Sequence, residues 1–187
     1  LITLGIMSGQ LQFSGAGAES VVAARIEGAD IVLLACPSDL EPIFLIARPE
    51  IKSPADLKGK ASAVTRIGSS THFYLRAALR MVGLDADKDM TILQLVAGPE
   101  MAAALESGRI AAAALNTRYA LPFLRRNWPV LVDLTKTDLV YPSSCVTGSR
   151  AYVRSEPSVV EDFLAGYVAG IQLIKKDPAC AERALIK

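Results

Sequence analysis

The sequence predicts an α/β fold in which mainly parallel strands are flanked by helices. Apolar-periodic stretches end at glycine, which stops a helix because it adopts a left-handed backbone without penalty. A short apolar run follows most of these glycines, as expected of parallel strands covered on both faces. The 187 residues, 51% of them hydrophobic, allow one or two domains with a substantial core. The helix-ending glycines are Gly9, Gly28, Gly59, Gly83 and Gly108.

Six apolar runs are predicted strands, and helix signals fall between them. The runs span residues 11–14, 31–35, 61–65, 92–96, 110–115 and 130–133. Ser53 supplies a helix cap before Pro54 at the first helical position. Gly98 and Pro99 open the helix that ends at Gly108, and a long helix is predicted over 157–176.

Two segments about a hundred residues apart share one pattern of a helix end, Ser-Gly, a polar residue, an aliphatic residue and a strand. They are MSGQLQFS at 7–14 and ESGRIAAAA at 106–114. This repeated pattern suggests that the chain forms two similar lobes.

Composition excludes several classes of function. The net charge of +1 provides no broad basic field for nucleic acid and no polybasic patch for a membrane. Cys36, Cys145 and Cys180 are scattered without a Cys-x-x-Cys motif, and His72 is the only histidine, so no zinc site is predicted. No motif supports a Ser-His-Asp triad. We therefore assign no catalytic residue, metal ligand or cofactor.

Candidate ligand-binding residues follow from the rule that open parallel sheets bind ligands beyond the carboxyl ends of their strands. The loops at these positions are short, small and polar, and glycine lets a ligand approach the backbone closely. GAGAES at 15–20 lacks the third glycine of a dinucleotide fingerprint, so it is read as a small loop. The candidates are Ser14, Gly15, Ala16, Ser38, Asp39, Gly68, Ser69, Ser70, Thr71, Asn116 and Arg118.

Each of the stronger candidates has two interpretations. The hydroxyl-rich loop 68–71 opens a predicted helix, where unpaired N–H groups and the helix dipole favour an anion. The same hydroxyls could simply cap the helix. Arg118 could pair with an anionic ligand or be a solvated residue, and Asp39 could bind a ligand amine or cap the next turn. The residues alone leave these alternatives open.

Several segments together resemble solute-binding proteins of ABC importers, in the branch of the sulfonate, nitrate and taurine binders and the NMT1/THI5-like proteins. The run Ile-x-Ser-x-x-Asp-Leu-x-Gly-Lys at 51–60 is the most specific, and the resemblance covers residues 1 to about 175. The other segments are SGQLQF, EGADIVLLA, IGSSTHFYLRAALRMVGLDADKDMTILQL and AALESGRIAAAAL.

The resemblance implies a two-lobed type II periplasmic-binding fold with two crossover strands, near 42–48 and 141–147. Residues 1–42 and 144–187 would form lobe 1, and residues 43–143 lobe 2. A non-enzymatic receptor would bind a small ligand between the lobes, close on it and dock on an ABC permease. We expect a periplasmic or membrane-associated extracellular monomer, with loop 68–71 as a ligand loop of lobe 2.

The sequence also departs from this family. Gln12 and Ala111 stand where relatives often carry Asp, so the ligand is defined only as a small anionic or polar organic compound. The cysteine-rich run of the pyrimidine-synthase branch does not occur in this sequence, so that activity is not carried over. An enzyme acting on a pyrimidine or thiamine precursor and a ligand-sensing module are the alternative functions.

We also expect the chain to belong to a longer protein. Residues 1–8 read as the end of a helix that needs a preceding strand, and residues 179–187 begin a helix without a closing cap. On this view lobe 1 should show an unpaired sheet edge or an uncovered apolar face near 11–13 and 31–34.

Overall fold

The computed structural model describes residues 2–39 and 41–185, with strands and helices alternating along the chain. The strands are β1 Ser14–Ala16, β2 Ile31–Ala35, β3 Ile43–Ala47, β4 Ala61–Val64, β5 Thr91–Gln94, β6 Ala112–Asn116, β7 Val130–Asp133 and β8 Cys145–Ser149. The helices are α1 Ile2–Met7, α2 Ala18–Ile26, α3 Ser70–Met81, α4 Ala86–Asp89, α5 Gly98–Ser107, α6 Thr117–Arg125, α7 Arg150–Ser155, α8 Pro157–Lys176 and α9 Pro178–Leu185, with short 3₁₀ turns at Pro54–Leu57 and Leu134–Lys136.

The strands form two separate sheets. A five-stranded sheet has the order β5-β4-β6-β3-β7, in which β4 pairs in parallel with β5 and β6. The crossover strand β3 enters this sheet antiparallel to both β6 and β7. The lobe boundaries at 42/43 and 143/144 stay a prediction, but each sheet draws its strands from one predicted lobe.

The three-stranded sheet has the order β1-β8-β2, and both of its pairings are antiparallel. The expectation of mainly parallel pairing is therefore wrong for this sheet, and in the five-stranded sheet two of the four pairings are parallel. The cause is the crossover strand β8, which returns from the other sheet and takes the central position. Strands β1 and β2 point the same way but lie on opposite sides of it.

The five-stranded sheet is buried on both faces, as its apolar strands predict. On one face Leu75 and Leu79 of α3 pack in a core with Leu45. On the other face Met101 and Phe123 pack in a second core. All these side chains are buried. The sheet is thus a rigid support for the loops at its strand ends.

Capping residues and a glycine explain where the 3₁₀ turn at Pro54–Leu57 begins and where α5 ends. Ser53 forms a capping box in which the Asp56 carboxylate accepts from the Ser53 N–H at 2.8 Å, as the predicted cap requires. Helix α5 ends at Gly108, whose φ of 82° is left-handed. Arg48 donates to the carbonyls of Leu105 and Glu106 at the same helix end, both at 3.0 Å.

Within the described residues, β1 and β2 pair only with β8, so each leaves one edge of the three-stranded sheet unpaired, as expected. Strand β1 begins three residues later than predicted, whereas β2 matches its predicted bounds. Beside β2 an open apolar hollow is lined by Val22 and Ile26 of α2, which are 54% and 83% exposed. A disulfide joins Cys36, just after β2, to Cys145 at the start of β8. Within the described ranges, no helix combines the length and hydropathy needed to cross a bilayer.

Candidate functional site

A cleft lies where loops of the two sheets meet at the start of α3. It consists of two adjoining cavities of about 320 and 290 Å³ that share Glu41, Ser70 and Tyr74 as lining residues. The three-stranded side contributes residues 15–17, at the end of β1 and the start of α2, and the segment 141–144. The five-stranded side contributes Thr65 and Asn116 at the carboxyl ends of β4 and β6, as the strand-end rule predicts. It also contributes Thr71 and Gly98, in the first turns of the helices that follow β4 and β5.

The start of α3 offers unpaired backbone donors to this cleft. The first helical bond runs from the N–H of Phe73 to the carbonyl of Ser69, and no side chain caps the helix start. The N–H groups of Ser70 and Thr71 make no hydrogen bond to any described residue. The dipole is positive at this end. The hydroxyls of the predicted loop therefore do not act as helix caps.

Two of the three hydroxyls brace the loop. The Thr71 hydroxyl accepts from the Thr65 N–H at 2.9 Å and lies 2.9 Å from the hydroxyls of Thr65 and Ser69. The Ser69 hydroxyl donates to the Arg66 carbonyl at 2.6 Å. The Ser70 hydroxyl has no such partner in the described part of the chain, and Ser70 lines both cavities. Ser70 is thus the side chain most available to a ligand.

Two carboxylates line the cleft, and sequence reasoning missed both. Glu41 accepts from the Ser143 hydroxyl at 3.2 Å, and Glu19 accepts from the Tyr141 hydroxyl at 3.0 Å. Burial raises the pKa of Tyr74 to about 12, and the nearby Glu41 charge adds to this. Burial, together with the hydrogen bond to Glu19, also raises the pKa of Tyr141. Among the described lining residues there is no Lys or Arg.

Aromatic rings enclose the cleft. The Tyr141 ring stacks on Phe73 with centroids 4.0 Å apart, which fixes the segment 141–144 against α3. Tyr119 packs so close to Gly98 that a Cβ atom at this position would overlap with the ring. Glycine at position 98 is therefore required by the space that Tyr119 occupies.

The structure brings together only part of the predicted site. Gly15, Ala16, Ser70, Thr71 and Asn116 line the cleft. The Asn116 side chain also caps α6 by accepting from a backbone N–H at 3.4 Å. Gly68 and Ser69 line a neighbouring cavity of about 320 Å³ on the other side of the α3 start. A ligand-binding role for each of these residues stays a prediction.

The other four predicted residues lie outside the cleft lining. Ser14 accepts through its carbonyl from the Thr147 hydroxyl, and Ser38 bridges to Ser143. The Asp39 carbonyl accepts from the Tyr141 N–H at 2.7 Å while the residue is exposed. The Arg118 guanidinium is exposed and lies 5.6 Å from the Tyr119 ring centroid.

His72 lies between the loop 68–71 and helix α4. Its Nδ1 accepts from the Gly68 N–H at 3.1 Å, while its buried Nε2 has no hydrogen-bond partner among the described residues and lies 3.9 Å from Asp87. Burial lowers the pKa of His72, Arg76 lowers it further, and Asp87 opposes the change. The described residues contain no group of three His, Cys, Asp or Glu that could hold a metal ion.

The chain is similar to a known protein family and to several solved structures. A family model described as NMT1/THI5 like matches residues 3–181. The periplasmic aliphatic sulphonate binding protein SsuA from Escherichia coli is 27% identical, with a TM-score of 0.77 over 95% of this chain and 57% of that chain. The alkanesulfonate-binding protein SsuA from Xanthomonas axonopodis pv. citri, bound to MOPS, is 25% identical, with a TM-score of 0.79 over 98% of this chain and 63% of that chain.

The desulfurization enzyme DSZB is similar in fold, with 18% identity and a TM-score of 0.59 over 79% of this chain and 58% of that chain. The chain thus spans less than two thirds of the length of each of these three proteins. No curated protein matches the sequence. The likeness to the SsuA structures confirms the two-lobed α/β fold expected from the sequence.

Proposed function

Because this chain belongs to the NMT1/THI5-like family, we propose that it acts as the solute-binding receptor of an ABC importer. The observation that carries the proposal is the set of unpaired N–H groups at Ser70 and Thr71, in a cleft between the two sheets. Backbone donors at a helix start bind carboxylate, sulfonate or phosphate groups. The ligand is a small organic compound whose anionic group is held there.

A sulfonate is the first ligand class to test. Two structural neighbours are described as sulfonate-binding proteins, and one of them is bound to MOPS, which carries both a sulfonate and an amine. Two cavities of about 320 and 290 Å³ suit a compound of this size.

The mechanism is a two-state closure. Ligand that contacts both sides of the cleft binds the closed form better and shifts the population towards it. The closed form then docks on a membrane permease. A disulfide between Cys36 and Cys145 supports an oxidising compartment such as the periplasm. An enzyme on the same fold is the second candidate, favoured only by the likeness to DSZB.

A thermal-shift screen with alkanesulfonates, carboxylates, nitrate and pyrimidines tests the proposal. A matching compound at a hundredfold its dissociation constant should add about 2.7 kcal/mol to the free energy of unfolding. Ser70→Ala should weaken that effect, whereas Gly166→Ala, on the exposed face of α8, should not. Product in excess over protein after incubation would favour the enzyme, and stabilisation by none of the compounds would contradict the receptor.

A further inference from the structure

We propose that His72 is a pH-sensitive support of the loop 68–71, whose neutral ring holds the loop through Gly68 and whose protonated ring releases it. Acid should therefore weaken the binding of a ligand at the start of α3. His72 lines the neighbouring cavity and not the cleft, so it acts on the loop from behind. The effect on ligand affinity rests on the proposed function, whereas the change in the loop is measurable on the ligand-free protein.

The turn that leads into α3 is held by side-chain acceptors. The Ile67 N–H donates to the Gln94 side chain at 3.0 Å, and the Gly68 N–H donates to Nδ1 of His72 at 3.1 Å. Gly68 has a left-handed φ of 80°, so its backbone conformation is one that few other residues adopt. Of these two acceptors only the imidazole titrates, and histidine does so close to neutral pH.

Protonation of the ring removes its acceptor. Because Nδ1 accepts from the Gly68 N–H, the neutral ring carries its proton on Nε2. A second proton can bind only at Nδ1, where the new N–H would face the N–H of Gly68. Two donors cannot share one hydrogen bond, so the contact must open. Gly68 directly precedes Ser69, the N-cap residue of α3, so the opening loosens the loop at the helix start.

The groups around His72 keep its ring neutral at pH 7. The ring is buried, and its Nε2 lies 3.9 Å from the Asp87 carboxylate of α4. Arg76 pairs with the same carboxylate at 3.2 Å, and Glu19 of α2 and Arg80 line the cavity beside the ring. Burial lowers the pKa of His72, Arg76 lowers it further, and Asp87 opposes both. The ring therefore takes up its second proton below its usual pH of about 6.5.

The positive charge of the protonated ring acts in the opposite direction, because an imidazolium attracts anions. That charge lies on the side of the α3 start away from the cleft, and the Asp87 carboxylate compensates part of it. The lost hydrogen bond, by contrast, acts on the loop itself. We therefore expect affinity to fall in acid.

Nuclear magnetic resonance tests the change in the loop without a ligand. His72 is the only histidine, so its ring signals report its titration directly. Ile67 and Gly68 form the only Ile-Gly pair, so isoleucine labelled at its carbonyl carbon and ¹⁵N-glycine give one amide signal. Scalar coupling between the Gly68 nitrogen and Nδ1 should be present at about pH 7.5 and lost as the ring titrates. No coupling at the higher pH, coupling that survives protonation, or a ring that stays neutral down to about pH 5 overturns the proposal.

Calorimetry with simple alkanesulfonates tests the effect on binding. These compounds stay ionised over the whole pH range, so only the protein titrates. The association constant should fall roughly three- to tenfold when the ring becomes protonated, which is the factor that one net hydrogen bond provides.

Three variants and a control assign the effect to His72. His72→Asn supplies an acceptor that does not titrate, so the pH dependence should shrink to within about twofold. His72→Leu supplies no acceptor and should bind weakly at both pH values. Asp87→Asn removes the carboxylate beside Nε2 and should move the ring titration to lower pH, whereas Asp162→Asn, exposed on α8, should not move it. Melting temperatures show whether each variant keeps its fold.

The outcomes separate this support from the proposed function. Binding that tightens in acid, or a pH dependence that survives His72→Asn, overturns the effect of His72 on affinity but leaves the receptor. Failure of every alkanesulfonate to bind contradicts a sulfonate receptor, and the Gly68 amide then decides the pH-sensitive support by itself.

Discussion

Thr71→Ala should mainly destabilise the fold, whereas Ser70→Ala should mainly weaken ligand binding. Thr71→Ala removes the acceptor of the half-buried Thr65 N–H, 2.9 Å away. An unsatisfied buried donor costs about 1–3 kcal/mol, and because water reaches a half-buried group we expect about 1–2 kcal/mol of lost stability. Ser70→Ala removes no hydrogen bond to a described residue, so its cost should stay within about 0.5 kcal/mol.

For ligand affinity, we expect Ser70→Ala to have the larger effect of the two variants. Loss of a hydrogen bond to a charged ligand group costs about 1.5–3 kcal/mol, so Ser70→Ala should weaken binding by about ten- to a hundredfold. Urea unfolding measures stability, and calorimetry with the best sulfonate measures affinity. Thr71→Ser keeps the hydroxyl and serves as the control for Thr71→Ala. If Ser70→Ala destabilises the fold as much as Thr71→Ala and leaves affinity intact, the division of roles is wrong.

Three further changes test other parts of the structure. Reduction of the Cys36–Cys145 disulfide should lower the free energy of unfolding by about 2–4 kcal/mol, measured by urea titration with and without reductant. Gly98→Ala inserts a Cβ atom into a ring and should lower the melting temperature, whereas Gly166→Ala, with open space around it, should not. The lowered pKa of His72 means that the unfolded chain takes up its proton first, so stability should fall as pH drops below about 6.5. His72→Asn, which retains an acceptor near Nδ1, should remove that component of the pH profile.

The sequence predicted the alternating α/β elements because their signals are local. Strands β2 and β7 have the predicted bounds, since each is a short apolar run between polar turns. The capping box at Ser53 and the glycine end of α5 were likewise readable from neighbouring residues. The antiparallel pairing of β8 could not be predicted from the sequence, because it depends on where a distant segment of the chain returns to the sheet.

The site was predictable only where a strand end marks it. Ser70 follows β4 after a short loop, so the strand-end rule found it. Glu41 and Glu19 were missed because an acid beside Pro42 looks like a solvated linker residue, and an acid in the first turn of α2 looks like a partner of the helix dipole. A signal for Glu41 did exist, since it directly precedes the predicted crossover strand.

The central position of β8 determines which of the two sheets can be completed first when the chain becomes available for folding from its N-terminal side. Strands β1 and β2 pair with β8 and not with each other, and the disulfide that joins this sheet links residues 109 positions apart. The five-stranded sheet, by contrast, is complete once β7 has been made. Among the described strands, β1 and β2 therefore gain their partner only after the strands of the five-stranded sheet are all present. We expect residues 14–35 to be the part of the described chain that is most accessible to proteases before folding is complete.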